Sequence, residues 1–127
     1  MEFPEDLRYS SDHEWVRTAN EQSARVGVTE YATEQLGDIV FVTLPEEGAE
    51  VTAGEPCGEL ESTKTVEDLV SPVTGVVTGV NQLVIDSPEV VNSDQYGDGW
   101  LFDVQLADDA DLDDLMEADA YAEQVEA

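Results

Sequence analysis

Basic residues are nearly absent from this sequence. Four of them, Arg8, Arg17, Arg25 and Lys64, stand among 127 residues against 31 Asp and Glu, for a formal net charge of −27. With no basic patch to neutralise phosphates, direct nucleic-acid binding is disfavoured. So dense a charge of one sign repels itself and destabilises a compact state in ordinary buffer. Salt relieves the repulsion, the Debye length being about 3 Å at 1 M, so the composition points to a high-salt cytoplasm such as that of a halophilic archaeon. The acids are spread along the whole chain, which argues against a nucleic-acid mimic or a cation store. Cysteine is scarce too. Cys57 alone excludes an internal disulfide framework, and beside the lone His13 no second His or Cys stands at zinc-ligand spacing, so no metal site is expected. No apolar run is long enough to span a membrane. The opening MEFPEDLRYS carries neither the basic nor the apolar part of a secretory signal. The expectation is a soluble cytoplasmic protein, monomeric on grounds of charge.

What the chain does have is 41% hydrophobic residues in short clusters, enough for a modest core in one domain spanning residues 1–127. Residues 14–17 (EWVR) and 24–29 (ARVGVT) read as strands joined by the polar TANEQS. Thr29 suits the N-cap of a helix over EYATEQL (30–36), with Gly37 at its end. DIVFVTL (38–44) is a β-branched apolar run typical of a buried strand. Turns follow at 45–48 and 53–56, then strands at 57–62, 65–71 and 75–80, with Pro72 and Gly75 marking a bend between the last two. Ser87-Pro88 reads as an N-cap and first helical position, opening a helix through Val91. WLFDVQL (100–106) is the last strand, and 111–126 reads as a helix capped by Asp111, with Leu112, Leu115, Met116, Tyr121 and Val125 at helical spacing. Many short strands with regular turns predict a mainly β fold, a flattened barrel or sandwich with short helices and a C-terminal helix. A short echo, VTAG at Val51 against VTGV at Val73 and again at Val77, is too brief to establish a repeat.

Lys64 is the only lysine. A composition that discards lysine broadly makes that count a weak signal by itself, and a residual surface lysine would explain it. The setting says more. Thr63 and Lys64 fall between the strands expected at 59–62 and 66–70, so the amine projects from a hairpin tip into solvent. An attached prosthetic arm needs that geometry. An amide at the nitrogen removes the charge, and tethering raises the arm's local concentration at a docked partner.

Four ordered segments, SDHEWVR (11–17), VGVTEYATEQLGDIVFVTLPEEG (26–48), GELESTKTVEDLVSPVTGVV (58–77) and VNSDQYGDGWLFDVQL (91–106), resemble the H-protein of the glycine cleavage system over nearly the whole chain. Thr65 stands where that family commonly has a small residue such as alanine, and Asp12 where it often has serine. The resemblance implies a lipoyl-carrier fold with lipoic acid amide-linked to Lys64. It implies an arm that takes an aminomethyl group at a pyridoxal-phosphate glycine decarboxylase as carbon dioxide leaves. The arm delivers the one-carbon unit to tetrahydrofolate on an aminomethyltransferase, and a dihydrolipoamide dehydrogenase, with FAD and NAD, reoxidises it. A lipoate-attaching enzyme is a further implied partner. The carrier would be non-catalytic, the hard chemistry belonging to the cofactors. In this family the loaded arm folds into a cleft whose acidic and polar side chains hold its ammonium. By position Glu14 and Asp68 match that role, with Asp12 and His13 nearby, and a carboxylate beside a cation stabilises it. Glu14 and Asp68 are each also readable as one solvated acid among 31. Glu61, three residues before Lys64, would help the attaching enzyme recognise the turn.

Blander readings stand for the remainder. His13 is more simply a partly buried structural histidine than a metal ligand or base. Cys57 reads as a small core residue, Trp15, Trp100 and Phe102 as core, and DLDDLMEAD (111–119) as a solvated helix face without calcium-loop spacing. Two other carriers, the lipoyl domain of a 2-oxoacid dehydrogenase or lipoyl-relay protein and a biotinyl domain, leave HEWVR and YGDGW unexplained. From another class, an acidic binding protein or an enzyme using Cys57 or His13 stays open at this level.

Overall fold

The computed structural model describes residues 3–20, 22–107, 112 and 114–126. The elements run β1 (Arg8–Tyr9), β2 (Glu14–Asn20), β3 (Ser23–Val28), α1 (Glu30–Leu36), β4 (Ile39–Thr43), β5 (Glu50–Val51), β6 (Pro56–Ser62), β7 (Val66–Val70), β8 (Gly75–Val80), α2 (Gln82–Asp86), α3 (Glu89–Ser93), β9 (Phe102–Leu106) and α4 (Ala118–Glu126). The strands form two antiparallel sheets. The larger has the order β1-β2-β3-β9-β8-β5 and the smaller β4-β6-β7. The fold is mainly β with short helices and a C-terminal helix, as the sequence predicts.

Alternation along the strands places the core. In β9 Phe102, Val104 and Leu106 point inward, and in β3 so do Ala24, Val26 and Val28. Val42, Leu60 and Leu69 of the small sheet meet them. Burying each such aliphatic side chain stabilises the fold by about 1.5–3 kcal/mol. A second cluster, Leu7, Tyr9, Trp15, Ala118 and Tyr121, lies on the other face of the large sheet and ties α4 to β1 and β2. Trp15 lies flat over its cross-strand partner Gly27, where an added Cβ would come within 2.4 Å of the indole.

The departures from expectation have local causes. Strands β1 and β5 have two residues each, too few for an alternating pattern. Helix α2 was not expected; its five residues are capped by Asn81, whose side-chain oxygen accepts from the Leu83 amide at 3.2 Å. Ser87 does not cap the next helix. It closes α2, its amide donating to Leu83 O, while Pro88 takes the cap position of α3, which continues to Ser93 instead of ending at Val91. The final helix begins at Ala118, far short of the span expected from Asp111, which lies outside the described residues. Met116 is not helical. It exchanges backbone hydrogen bonds with Tyr9 as an isolated β-bridge, while Leu112 and Leu115 pack against the main core. Trp15 and Phe102 are fully buried, whereas Trp100 is only partly so and stacks over Arg25.

Candidate functional site

The turn between β6 and β7 is built by Ser62. Its Oγ accepts from the amides of Lys64 and Thr65, both at 3.1 Å, and the Ser62 amide donates to Thr65 O at 2.8 Å. The hydroxyl thereby stands in for a missing strand partner. Thr63 N donates to Asp38 O at 3.1 Å, tying the tip to the chain entering β4. Lys64 is exposed on this tip. Its stem lies over Gly37, the C-cap of α1, where an added Cβ would sit 3.0 Å from Lys64 Cε and 3.7 Å from Nζ. Gly37 has φ 87° and ψ −157°, a conformation open to glycine alone. Asn92 of α3 holds that corner from behind. Its amide donates to Gly37 O at 3.0 Å and its oxygen accepts from Ile39 N at 2.8 Å.

Beside the tip lies an open cleft of ≈ 550 Å³ between α1, the loop before β2 and the edge of β7. Asp12, His13, Glu14 and Asp68, the four residues that the family resemblance placed in a cleft, all line it, with Thr65 joining it to the Lys64 turn. Glu67 and Tyr31 line it too. Glu61 is exposed on β6, with Phe41 and Val66 as its cross-strand neighbours.

Glu14 is the buried member, at 3% exposure. Burial pushes its carboxyl up to about 8. The Ser10 hydroxyl, donating at 2.8 Å, opposes this, Asp12 adds to it, and a backbone hydrogen bond at Val70 again opposes it. At neutral pH the carboxyl is therefore mainly protonated, and a cation arriving in the cleft would favour its ionised form. His13 is half-buried in the left-handed region at φ 72°, which histidine tolerates better than most side chains. Ser10 O accepts its amide and Thr29 N donates to its carbonyl, fixing the loop. Its Nδ1 lies 2.8 Å from Tyr121 Oη, which also lies 2.8 Å from Thr29 Oγ1. Burial lowers the His13 pKa, Asp12 partly offsetting it. Thr29 Oγ1 accepts from Ala32 N as the N-cap of α1. One polar chain thus joins the cleft wall, the C-terminal helix and the start of α1. Cys57 is half-buried, its thiol pushed up to about 12 by burial and by Glu14, so it is no nucleophile near neutral pH. Among the described residues no group of His, Cys, Asp and Glu could hold a metal ion, and no helix is long and apolar enough to cross a membrane.

Sequence reasoning missed four participants. Ser62 had a signal, a hydroxyl two residues before the lysine in a turn. Ser10 had a weaker one, four residues before Glu14. Asn92 and Tyr121 had none, being 55 and 108 residues from Gly37 and His13.

Comparison with known proteins agrees with this geometry. A family model described as "Glycine cleavage H-protein" matches residues 7–127. The chain is 52% identical over 126 residues to a glycine cleavage system H protein of Marinobacter nauticus, covering 99% of this chain and 97% of that one. It is 50% identical over 126 residues to a probable glycine cleavage system H protein of Haloarcula marismortui, covering 99% and 98%. Its fold matches the crystal structure of a glycine cleavage system H protein from Mycobacterium marinum with a TM-score of 0.87 at 44% identity, over 98% of this chain and all of the other. The chain belongs to the glycine cleavage H-protein family.

Proposed function

We propose that this protein is the lipoyl carrier of the glycine cleavage system, with the lipoyl group in amide linkage to Lys64. It carries the aminomethyl group of glycine from glycine decarboxylase to aminomethyltransferase, and dihydrolipoamide dehydrogenase restores the arm. It acts in the cytoplasm as a non-catalytic, monomeric carrier domain spanning residues 1–127. The observation that supports this reading best is the exposed Lys64, on a hydrogen-bonded hairpin tip, beside a cleft lined by carboxyl groups.

The residues fit such a group. Ser62 and Asp38 hold the tip backbone, so the lysine stem leaves a fixed point. The missing Cβ at Gly37 clears its path. When bound, a lipoyl group supplies a cyclic disulfide that accepts the aminomethyl group and cycles through the dithiol. The chain's own residues receive the cargo's positive end. Asp12 and Asp68 line the rim as exposed acids, and Glu14 waits protonated on the wall. A cation docking there draws Glu14 into its ionised form and releases a proton to solvent. His13, which also lines the cleft, is held by Tyr121 and packs against Tyr31.

The test is intact-mass analysis of protein from a host with an active lipoylation pathway, followed by peptide mapping. The expected result is a lipoyl or octanoyl increment on Lys64, and an unmodified lysine would overturn the assignment. Lys64→Ala should fold as the parent does and give no glycine cleavage in a reconstituted system; an active variant would refute the role of this residue.

A further inference from the structure

We propose that the outer face of the small sheet is the platform on which an acyl-attaching enzyme seats to modify Lys64, a proposal that rests on the carrier reading above. The three most exposed large apolar side chains among the described residues, Phe41 at 60%, Val66 at 51% and Val40 at 48%, all belong to this sheet, on β4 and β7. Phe41, Glu61 and Val66 form one cross-strand row. Val66 is two residues from Lys64, so the row runs directly beneath the modified turn. The next row on the same face is Thr43, Glu59 and Asp68, all exposed. Val42 and Leu60 point the other way into the core, so burial on folding does not account for Phe41 or Val66. Single exposed hydrophobic residues are ordinary, but here the most exposed ones gather on one small sheet, flanking Glu61 beside the Lys64 turn.

Reach decides which partner this face serves. Amide formation requires Lys64 Nζ to lose a proton and attack the carbonyl carbon of an activated acyl donor, an acyl adenylate. The C–N bond forms as the carbon–oxygen bond to the adenylate phosphate breaks. AMP leaves with that electron pair, and the second proton passes from the nitrogen to solvent. Before attachment the nucleophile sits on a stem of only four carbons, with a reach on the order of 6 Å. The attaching enzyme must therefore bury the turn and what lies directly under it. Partners that act on the completed arm meet it at a greater distance and need not. The chemistry of the face specifies an enzyme surface with two apolar contacts, one for Phe41 and one for Val66, on either side of Glu61. A basic side chain between those contacts would meet Glu61, and others in the next row would meet Glu59 and Asp68.

The experiment uses the full chain with octanoic acid, ATP and a lipoate–protein ligase, following acylation of Lys64 by intact mass. Phe41→Ser and Val66→Ser should each lower kcat/KM for the carrier about tenfold, mainly through KM. Val76→Ser, an equally simple change on β8 of the other sheet, should leave it unchanged. Circular dichroism must match the parent, and the rate at which a small N-hydroxysuccinimide ester labels Lys64 should be equal in all variants. Equal ligase kinetics in the Phe41 and Val66 variants would overturn the proposal. So would normal attachment combined with slowed turnover by the decarboxylase or aminomethyltransferase, which would assign the face to those enzymes. Failure of the parent itself to become acylated at Lys64 would instead overturn the carrier reading, which separates the two.

Discussion

Glu14 shows how one side chain is set before any ligand arrives. It is 3% exposed, with the Ser10 hydroxyl as donor, and its carboxyl is held at about 8 against an ordinary value of 4.5. Between those two pH values the folded chain binds more protons than the unfolded chain, so stability falls as pH rises. The stability associated with the neutral carboxyl is fully present below about pH 4.5 and lost once pH has passed about 8. The difference is on the order of a few kcal/mol. Glu14→Gln should remove most of this slope. Urea unfolding at constant high salt should find the variant more stable than the parent at pH 9 and close to it at pH 5. Parallel pH profiles would show that the carboxyl ionises freely. Position in the sequence brought Glu14, Asp68, Asp12 and His13 into consideration only through family resemblance. Nothing in the residue types separates Glu14 from the other acids. Its burial, with its carboxyl against the Val70 backbone at the end of β7, does.

At the scale of elements, α1 and the β6–β7 hairpin form one working unit. Thr29 starts the helix, Gly37 ends it, and the Lys64 stem crosses that end. Both helix ends were legible because capping is local chemistry, a hydroxyl at one end and a glycine at the other. Helix α2, for which the sequence gives no expectation, follows its cap Asn81 within a stretch whose apolar residues match a strand equally well. Ser87-Pro88 was misplaced for a related reason. The dipeptide fits a helix start, and the chain uses its serine to finish the preceding helix. Gly37→Ala should cost about 1–3 kcal/mol, because φ 87° with ψ −157° excludes a Cβ. Its new methyl group should also push the Lys64 stem aside. Chemical unfolding measures the first effect, and a changed rate of Lys64 labelling by a small amine-reactive ester measures the second. A variant as stable as the parent would show that this corner relaxes without strain.

The whole molecule carries a net charge of −27 on 127 residues, and among the described residues one ion pair, Arg25 with Asp103 at 2.9 Å, joins opposite charges. Pairwise attraction therefore does little to offset the repulsion, which salt would screen. Far-ultraviolet circular dichroism should show loss of structure on dialysis from multimolar to millimolar salt, with recovery when salt returns. A spectrum unchanged across that range would contradict a high-salt habitat. Arg25 also stacks 3.8 Å from the Trp100 ring centroid, and Arg17 lies 5.0 Å from that of Trp15 while donating to Tyr96 O at 2.9 Å. Two of the four basic residues thus serve packing on the outer face of the large sheet.

The sequence by itself determined the β-rich class, the strands with β-branched runs, the caps of α1 and the hairpin tip that bears Lys64. Each depends on residues within a few positions of one another, where propensity and turn chemistry act directly. Only the tertiary structure decided that strands 14–20 and 66–70, far apart in the chain, border one cleft. It alone buried Glu14 there, brought Tyr121 across 108 residues to hold His13, and left Phe41 facing solvent in one row with Glu61 and Val66. Those facts follow from which faces the two sheets turn toward each other. That choice is made by burial of the whole apolar surface at once, and no local window of sequence contains it.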